Sequence, residues 1–143
     1  MMSLLEGGAT RRLWPAVVAA SLIALLLAGC AAVEKDRRAT SLDSATRAYL
    51  AALRWGDVEG LVAFLPPEVR AQQDLAAFKD LRVTRYEVLR PLAMLTETEA
   101  TQTVAIEYLY EFNQIVRRTT DRQSWRWDDE AKAWWIESGL PDF

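Results

Sequence analysis

The sequence predicts an α+β domain in which two to three N-terminal helices pack on one face of a curved antiparallel sheet of about four strands. Apolar residues keep helical spacing up to about Asp80, and a two-residue alternation replaces that spacing after Leu81. The chain has 143 residues, of which 51% are apolar and 26% charged. This balance is typical of one globular domain.

The helical half is predicted to begin at a capping pair formed by Thr40 and Asp43. Apolar residues then follow at near-helical spacing until Gly56, which is a suitable residue to end the first helix. Asp57 can cap a second helix. The apolar stripe of this second helix consists of Val58, Leu61, Val62 and Leu65.

Two prolines separate the second helix from a third one. Pro66 and Pro67 end the second helix, and Pro67 can open the next. The third helix is predicted to run through Glu68–Asp80, with a less regular apolar face.

The strand half starts with Leu81–Leu95, where Pro91 predicts a bulge or bend because proline cannot donate to the ladder. Thr96–Ala100 is predicted to be a turn. The second strand places alternate apolar side chains on one face. These side chains are Val104, Ile106, Tyr108, Tyr110 and Phe112.

The third strand, Ile115–Trp127, is polar on both sides in its middle, so we expect that part to be exposed. Asp128–Lys132 is predicted to form a charged hairpin turn, since its acidic residues lack the spacing of a calcium loop. Ala133–Ile136 returns as the fourth strand.

Composition excludes several classes of chemistry. The chain has no histidine, so histidine metal sites and histidine-dependent nucleophiles are absent. A single cysteine, Cys30, cannot form an intrachain disulfide or a zinc cluster. The net charge of −3 does not suggest a nucleic-acid-binding face. We therefore expect no metal, no cofactor and no nucleic-acid partner.

The first thirty residues have the layout of a secretory signal. Arg11 and Arg12 precede the apolar run Ala16–Ala28, which is shorter than the ~20 residues that a membrane span needs. The run closes with Leu27-Ala28-Gly29-Cys30, which resembles the bacterial lipoprotein lipobox. The alternatives are an uncleaved anchor or an ordinary signal peptide with an incidental cysteine, and the arginine pair gives only a weak hint of twin-arginine export.

The lipobox resemblance implies cleavage between Gly29 and Cys30 and acylation of Cys30, whose thiol accepts the lipid. It also implies that Ala31, which is not aspartate, directs the product to the outer membrane facing the periplasm. The expected organisation is a signal peptide at 1–29, a lipidated N-terminus and solvated tether at 30–40, and one domain at 41–143.

Two segments resemble the nuclear-transport-factor-two-like superfamily, a cone of helices against a bent sheet. Ala48–Asp57 is similar to the opening helix of that family, and Trp125–Ile136 is similar to its closing hairpin. The resemblance spans about Ser41 to Glu137. Family enzymes use an aspartate, histidine or tyrosine constellation in the cone, and this chain has no histidine, so the fold alone implies no activity.

Three candidate sites follow from the residues. An aromatic set could line a ligand cavity, with Trp134 or Trp135 nearby, although core and cross-strand pairs explain it too. Carboxylates of the helical half could supply a general base, although capping and solvated helix faces explain them too. The aromatic set is Tyr86, Tyr108, Tyr110, Trp125 and Trp127, and the carboxylates are Asp57, Glu68, Asp74 and Asp80.

The third candidate is a docking surface on the arginine-rich third strand, for an acidic partner or for lipid head groups. The alternative is a solvated sheet face with cross-strand pairs to Glu107 and Glu111. The arginines are Arg117, Arg118, Arg122 and Arg126.

The sequence therefore predicts an envelope lipoprotein that is held on the membrane by its lipid and whose domain is a non-catalytic binding or scaffolding module for an envelope partner. The alternative is a pocket enzyme of the same fold, of the isomerase, dehydratase or hydrolase type. An enzyme would need an open cavity with an ionisable group pointing into it. The oligomeric state is not predicted.

Overall fold

A computed structural model describes the backbone of residues 14–143, and the side chains of Val18 and of residues 29–143. The chain divides into two units, Met1–Arg37 and Arg38–Phe143. The predicted signal arginines, Arg11 and Arg12, lie outside the described residues. In the part of the chain that the structure describes, no helix is long and apolar enough to cross a membrane.

Helix α1 spans Trp14–Trp55, so it contains both the predicted cleavage site and the predicted tether. Thr40 lies inside this helix, where its carbonyl oxygen accepts a hydrogen bond from Ser44 Oγ at 3.1 Å. The prediction of a capping pair at Thr40 and Asp43 is therefore wrong, and the segment Ala31–Thr40, expected to be a solvated tether, is helical. That segment is rich in Ala, Glu, Lys and Arg, which are among the strongest helix formers.

The end of α1 is as predicted. Gly56 has φ +67°, a left-handed conformation that glycine adopts without steric cost. The backbone N–H of Asp57 donates to the carbonyl oxygen of Ala52 at 2.9 Å, which satisfies a carbonyl at the helix end. One face of α1 is buried against the sheet. Its core residues are Leu42, Tyr49, Ala52 and Leu53.

The remaining helices are short. Helix α2 is Val58–Val62, and Asp57 caps it by accepting a hydrogen bond from Gly60 N at 2.9 Å. Helix α3 is Pro67–Arg70, with proline at its first position as predicted. The expected continuation to Asp80 is wrong.

Side-chain hydrogen bonds to the backbone accompany the irregular chain around and beyond α3. The Arg70 guanidinium donates to the carbonyl oxygens of Leu65 and Ala63 at 2.8 and 2.9 Å. Asp74 Oδ1 accepts from Ala76 N at 2.9 Å, and only a 3₁₀ turn follows at Ala76–Phe78.

The sheet has four antiparallel strands in the order β1-β2-β3-β4. Their bounds are β1 Leu81–Met94, β2 Glu99–Tyr110, β3 Arg117–Asp128 and β4 Ala133–Ile136. Strand β1 is an edge strand whose pairing with β2 shifts register three times. One shift lies between Arg90 and Ala93 and includes Pro91, so the predicted interruption of the ladder, a bulge or bend near Pro91, is confirmed.

The predicted alternation holds along most of β2. Val104, Ile106 and Tyr108 are buried on the helix-facing side. Phe112 departs from the prediction, because β2 ends at Tyr110 and the chain turns there, leaving Phe112 76% exposed. Its ring stacks on that of Tyr110 at 5.5 Å between centroids.

The polar middle of β3 is not uniformly exposed, contrary to the prediction. Asp121 is 8% exposed and Gln123 is 2% exposed. The two-residue period of the strand explains this, because it places both on the same face as the buried Trp125 and Trp127.

Arg38 fixes the start of the second unit against the β3–β4 hairpin. Its guanidinium forms an ion pair with Asp129 at 3.1 Å and lies 5.7 Å from the ring centroid of Trp127. Its carbonyl oxygen accepts a hydrogen bond from the indole Nε1 of Trp134 at 3.1 Å. These contacts hold the described part of α1 from Arg38 onward on the hairpin.

Candidate functional site

A buried polar cluster joins β3 to β1 beneath α1. Gln123 Nε2 donates to Asp121 Oδ2 at 2.8 Å and lies 3.4 Å from the hydroxyl oxygen of Tyr86. The charge of Asp121 also acts on the hydroxyl of Tyr49 on α1, whose pKa it raises. We call Tyr49, Tyr86, Asp121 and Gln123 the interior polar cluster.

Burial controls the ionisation of this cluster. Removal from water raises the pKa of Asp121, and the hydrogen bond from Gln123 offsets part of that rise. Burial raises the pKa of Tyr86 to about 12, and both burial and the nearby Asp121 charge raise the pKa of Tyr49. The two tyrosines therefore stay protonated at neutral pH. Within the cluster, Asp121 is the group whose charge changes when the pH falls below neutral.

Several polar atoms around the cluster have no hydrogen-bond partner among the described residues. Two are tyrosine and indole donors, and two are amide oxygens on neighbouring strands. Gln102 lies directly opposite Gln123 in the β2–β3 ladder, so their amides share one face. The four atoms are Tyr49 Oη, Trp125 Nε1, Gln102 Oε1 and Gln123 Oε1.

Aromatic rings fill the space next to these atoms. Tyr49, Phe64 and Trp125 meet edge to face in all three pairs, at 5.5 to 6.0 Å between ring centroids. Tyr49 and Trp125 are 0% and 1% exposed. This part of the helix-facing interior is therefore packed.

The other residues of the predicted aromatic pocket are distributed along the sheet. Tyr108 contacts Tyr110 and Phe143 edge to face, and Tyr110 Oη donates to the carbonyl oxygen of Ala77 at 3.2 Å. Trp127 packs against Trp134 near Arg38. Of the predicted set, Tyr86 belongs to the interior polar cluster, through its contact with Gln123.

The carboxylates proposed as general bases lie elsewhere. Asp57 and Asp74 are exposed and accept backbone hydrogen bonds, as described above, while Glu68 and Asp80 are also exposed. Among the described residues, the buried carboxylate is Asp121, which the sequence reasoning missed. Its two-residue spacing to Trp125 through Gln123 is the signal that could have found it.

The predicted arginine surface is divided by the period of β3. Arg118 forms ion pairs with Glu87 and Glu107 at 3.1 and 3.3 Å, and Arg126 forms one with Glu137. The guanidinium of Arg117 instead lies 6.0 Å from the ring centroid of Tyr110.

The register places Arg118, Arg122 and Arg126 on the outer face of the sheet and Arg117 on the helix-facing side. Arg122 is exposed and forms no ion pair with the described residues. The four arginines therefore do not form one surface.

A surface groove of about 610 Å³ runs between α1 and β1. Its lining combines two arginines of α1 with Val83 of β1. Trp55, the last residue of α1, is 87% exposed at the groove. The lining residues are Arg47, Leu50, Ala51, Arg54, Trp55 and Val83, none of which belongs to the interior polar cluster.

No metal site is indicated in the described part of the chain, where no group of three or more His, Cys, Asp or Glu is placed to hold an ion. Cys30 is a free, exposed cysteine.

Helices on one face of a bent four-stranded antiparallel sheet define an α+β protein of nuclear-transport-factor-two-like fold. The structure is similar to that of a ketosteroid isomerase-like protein from Erwinia carotovora atroseptica, with a TM-score of 0.51 and 16% sequence identity. That match covers 68% of this chain and 88% of the other.

A second similar structure is a Sec-C-motif-containing protein from Psychrobacter arcticus, with a TM-score of 0.52 and 11% identity. The match covers 72% of this chain but 63% of that one, so this chain spans less than two thirds of its length. No family model and no curated protein matches the sequence. At these identities the likeness shows the fold alone.

Proposed function

We propose that this protein is a bacterial envelope lipoprotein, acylated on Cys30, whose domain is a non-catalytic binding module for a partner at the periplasmic membrane surface. The observation that carries the binding function is the packing of Tyr49, Phe64 and Trp125. A catalytic cone needs open space beside its ionisable group, and here rings with little or no exposure occupy the region next to the interior polar cluster.

The placement at a membrane rests on the sequence. The lipobox-like Leu27-Ala28-Gly29-Cys30 follows an apolar run behind two arginines. The free, exposed state of Cys30 is compatible with modification of its thiol. Two or more acyl chains would make the anchoring stable.

Metabolic labelling of the full chain with an alkyne fatty acid tests the anchor. We expect label on the wild type and none on Cys30→Ala, with Ala31→Ser as the matched control that keeps the label. In a host with two membranes, Ala31→Asp is expected to move the protein to the inner-membrane fraction. Label that persists on Cys30→Ala would contradict the proposal.

Photo-crosslinking in cells tests the binding function. A crosslinker amino acid placed at exposed positions of the domain is expected to recover the same partner repeatedly. Failure of every position to recover a reproducible partner would contradict a binding module.

The second candidate is a pocket enzyme, and the observation that favours it is the buried carboxylate of Asp121 hydrogen-bonded beside two tyrosines. Burial keeps such a carboxylate basic enough to accept a proton. Cyclohexanone, titrated while amide chemical shifts are recorded, tests access to this group. Saturable shifts at Gln123 and its neighbours that disappear in Asp121→Asn would favour the enzyme.

A further inference from the structure

The groove between α1 and β1 has the composition of a binding hot spot. Arginine and tryptophan are the residue types that most often dominate binding energy at interfaces. Here two arginines and the exposed Trp55 line the groove together with the apolar Leu50, Ala51 and Val83. The two arginines are separated by apolar side chains, so they suit a partner that carries two acidic residues with apolar side chains between them.

The spacing along α1 fits a helical partner. Arg47, Leu50, Ala51 and Arg54 stand at positions i, i+3, i+4 and i+7, so they form one stripe of the helix. At 1.5 Å per residue, the two arginines are about 10.5 Å apart along the axis. Two acidic residues seven positions apart on a second helix have the same separation.

Charge also favours an acidic partner. Arg54 is exposed and forms no ion pair with any of the described residues. Arg47 is paired with Asp43 one turn earlier, and both side chains are more than half exposed. Such an exposed pair contributes little and exchanges readily, so Arg47 remains able to pair with an incoming carboxylate.

The shape of the groove favours a protein over a small molecule as its ligand. With Trp55 87% exposed, the end of the groove is open to solvent, and a small ligand would remain largely hydrated there. A helix needs to bury only one of its faces in the groove, so the open end costs it much less binding energy than it costs a small ligand. The small side chain of Ala51 allows the backbone of the partner helix to approach α1 closely.

We propose that this groove docks an acidic amphipathic helix of a partner protein, with carboxylates at Arg47 and Arg54 and apolar side chains on Leu50 and Ala51. The proposal rests on the proposed binding function and names the surface and the partner chemistry. Trp55 packs against the apolar side of the same helix.

The probe is an alanine-based peptide of about 20 residues, long enough to be helical. It carries two glutamates seven positions apart and leucines three and four positions after the first. A second peptide has lysine in place of both glutamates. Binding of each to the purified full chain is measured by fluorescence anisotropy.

We expect the glutamate peptide to bind and the lysine peptide not to bind. Arg54→Ala weakens binding about fivefold and Trp55→Ala about tenfold, the usual effects of losing one ion pair and one hot-spot side chain. Arg90→Ala is the matched control, because Arg90 is an exposed arginine of β1 outside the groove. Asp43→Ala, which releases Arg47, strengthens binding about twofold.

Charge reversal gives the sharpest result. Arg47→Glu combined with Arg54→Glu is expected to bind the lysine peptide and to lose the glutamate peptide, with circular dichroism confirming that the variant is folded. Equal binding of both peptides to the wild type, or indifference to Arg54→Ala, overturns the proposal. Arginine-dependent binding of dodecanoate without peptide binding overturns it in favour of a small amphiphile.

The two proposals fail separately. Crosslinks to a partner that map only to the outer face of the sheet would overturn the groove and leave the binding module. Absence of any partner would contradict the binding module itself.

Discussion

Gln123 donates a hydrogen bond to Asp121 across 2.8 Å on the helix-facing side of β3, two residues from the buried Trp125. This contact keeps a carboxyl group in the interior of a domain whose aromatic residues otherwise exclude water. Burial opposes the ionised form of Asp121, and the amide of Gln123 partly compensates. The ionisation of Asp121 is therefore coupled to the stability of the fold.

The first prediction concerns pH and Asp121→Asn. Because the pKa of Asp121 is raised on folding, the native state holds its proton at pH values where the unfolded chain has lost it. This contribution to the free energy of unfolding is largest in acid and decreases as pH rises from the ordinary aspartate range through the raised pKa. We expect the free energy of unfolding of Asp121→Asn not to show this decrease with rising pH. Urea unfolding at a series of pH values measures it.

Asp128→Asn is the control of opposite sign. Hydrogen bonds from Ala131 N and then from the Trp135 indole lower the pKa of Asp128. The stabilisation by ionised Asp128 is present above the ordinary aspartate range and is lost as pH falls through the lowered pKa. The variant is therefore expected to lose stability at neutral pH and not in acid. The same pH profile for both variants would contradict this account.

The second prediction concerns Arg38, whose side chain is 17% exposed between Asp129 and Trp127. Arg38→Ala is expected to lower the free energy of unfolding by about 1–2 kcal/mol, through loss of the cation–π contact and of the packing of its aliphatic stem. Chemical denaturation monitored by tryptophan fluorescence gives the value.

Arg37→Ala is the matched control, since Arg37 is the exposed neighbour in the same helix. It is expected to change stability by less than about 0.5 kcal/mol. Equal effects of the two variants would show that the contacts of Arg38 with the hairpin add nothing.

The third prediction compares two tyrosine hydroxyls. Tyr49 Oη is buried with no partner among the described residues, so Tyr49→Phe is expected to be neutral or to stabilise by up to about 1 kcal/mol. Tyr110 Oη donates to the carbonyl oxygen of Ala77, so Tyr110→Phe is expected to cost about 1 kcal/mol. Thermal and urea unfolding measure both.

Destabilisation by Tyr49→Phe equal to that of Tyr110→Phe would mean that the Tyr49 hydroxyl is bonded in solution. A bound water or ligand beside the interior polar cluster would then have to supply the partner.

The fourth prediction concerns the end of α1. Gly56→Ala places a Cβ in a left-handed residue, which is expected to cost about 1 kcal/mol even though no atom lies within 4 Å of the added carbon. Gly56→Asn is expected to cost less, because asparagine tolerates this conformation better. A loss as large for asparagine as for alanine would contradict the backbone explanation. Differential scanning calorimetry of both variants measures their loss of stability relative to the wild type.

The sequence was sufficient for most of the fold because local chemistry decides those elements. Gly56, Asp57 and Pro67 act on their own backbone neighbours, and the bulge at Pro91 follows from a missing donor. The alternation that predicted β2 reflects burial on one face. These features need no knowledge of distant residues.

The sequence-based predictions were wrong where local propensity and tertiary packing compete. Thr40 resembles a cap, but the helix formers on both sides of it continue α1. Asp121 lies in a stretch that is polar by composition, and only the packing of helices on β3 makes it buried.

The candidate groove was missed because it combines residues of α1 with Val83 of β1, which are distant in sequence. The arginines of β3, which are adjacent in sequence, instead separate onto two faces.

The irregularity of β1 has a consequence for crowding. An edge strand of 14 residues could template intermolecular pairing, but three register shifts and Pro91 interrupt its free hydrogen-bonding row. Along β1, a neighbouring copy therefore meets no continuous ladder to extend. We therefore expect β1 to be a poor template for edge-to-edge aggregation, because a strand added beside it would lose its register at each interruption.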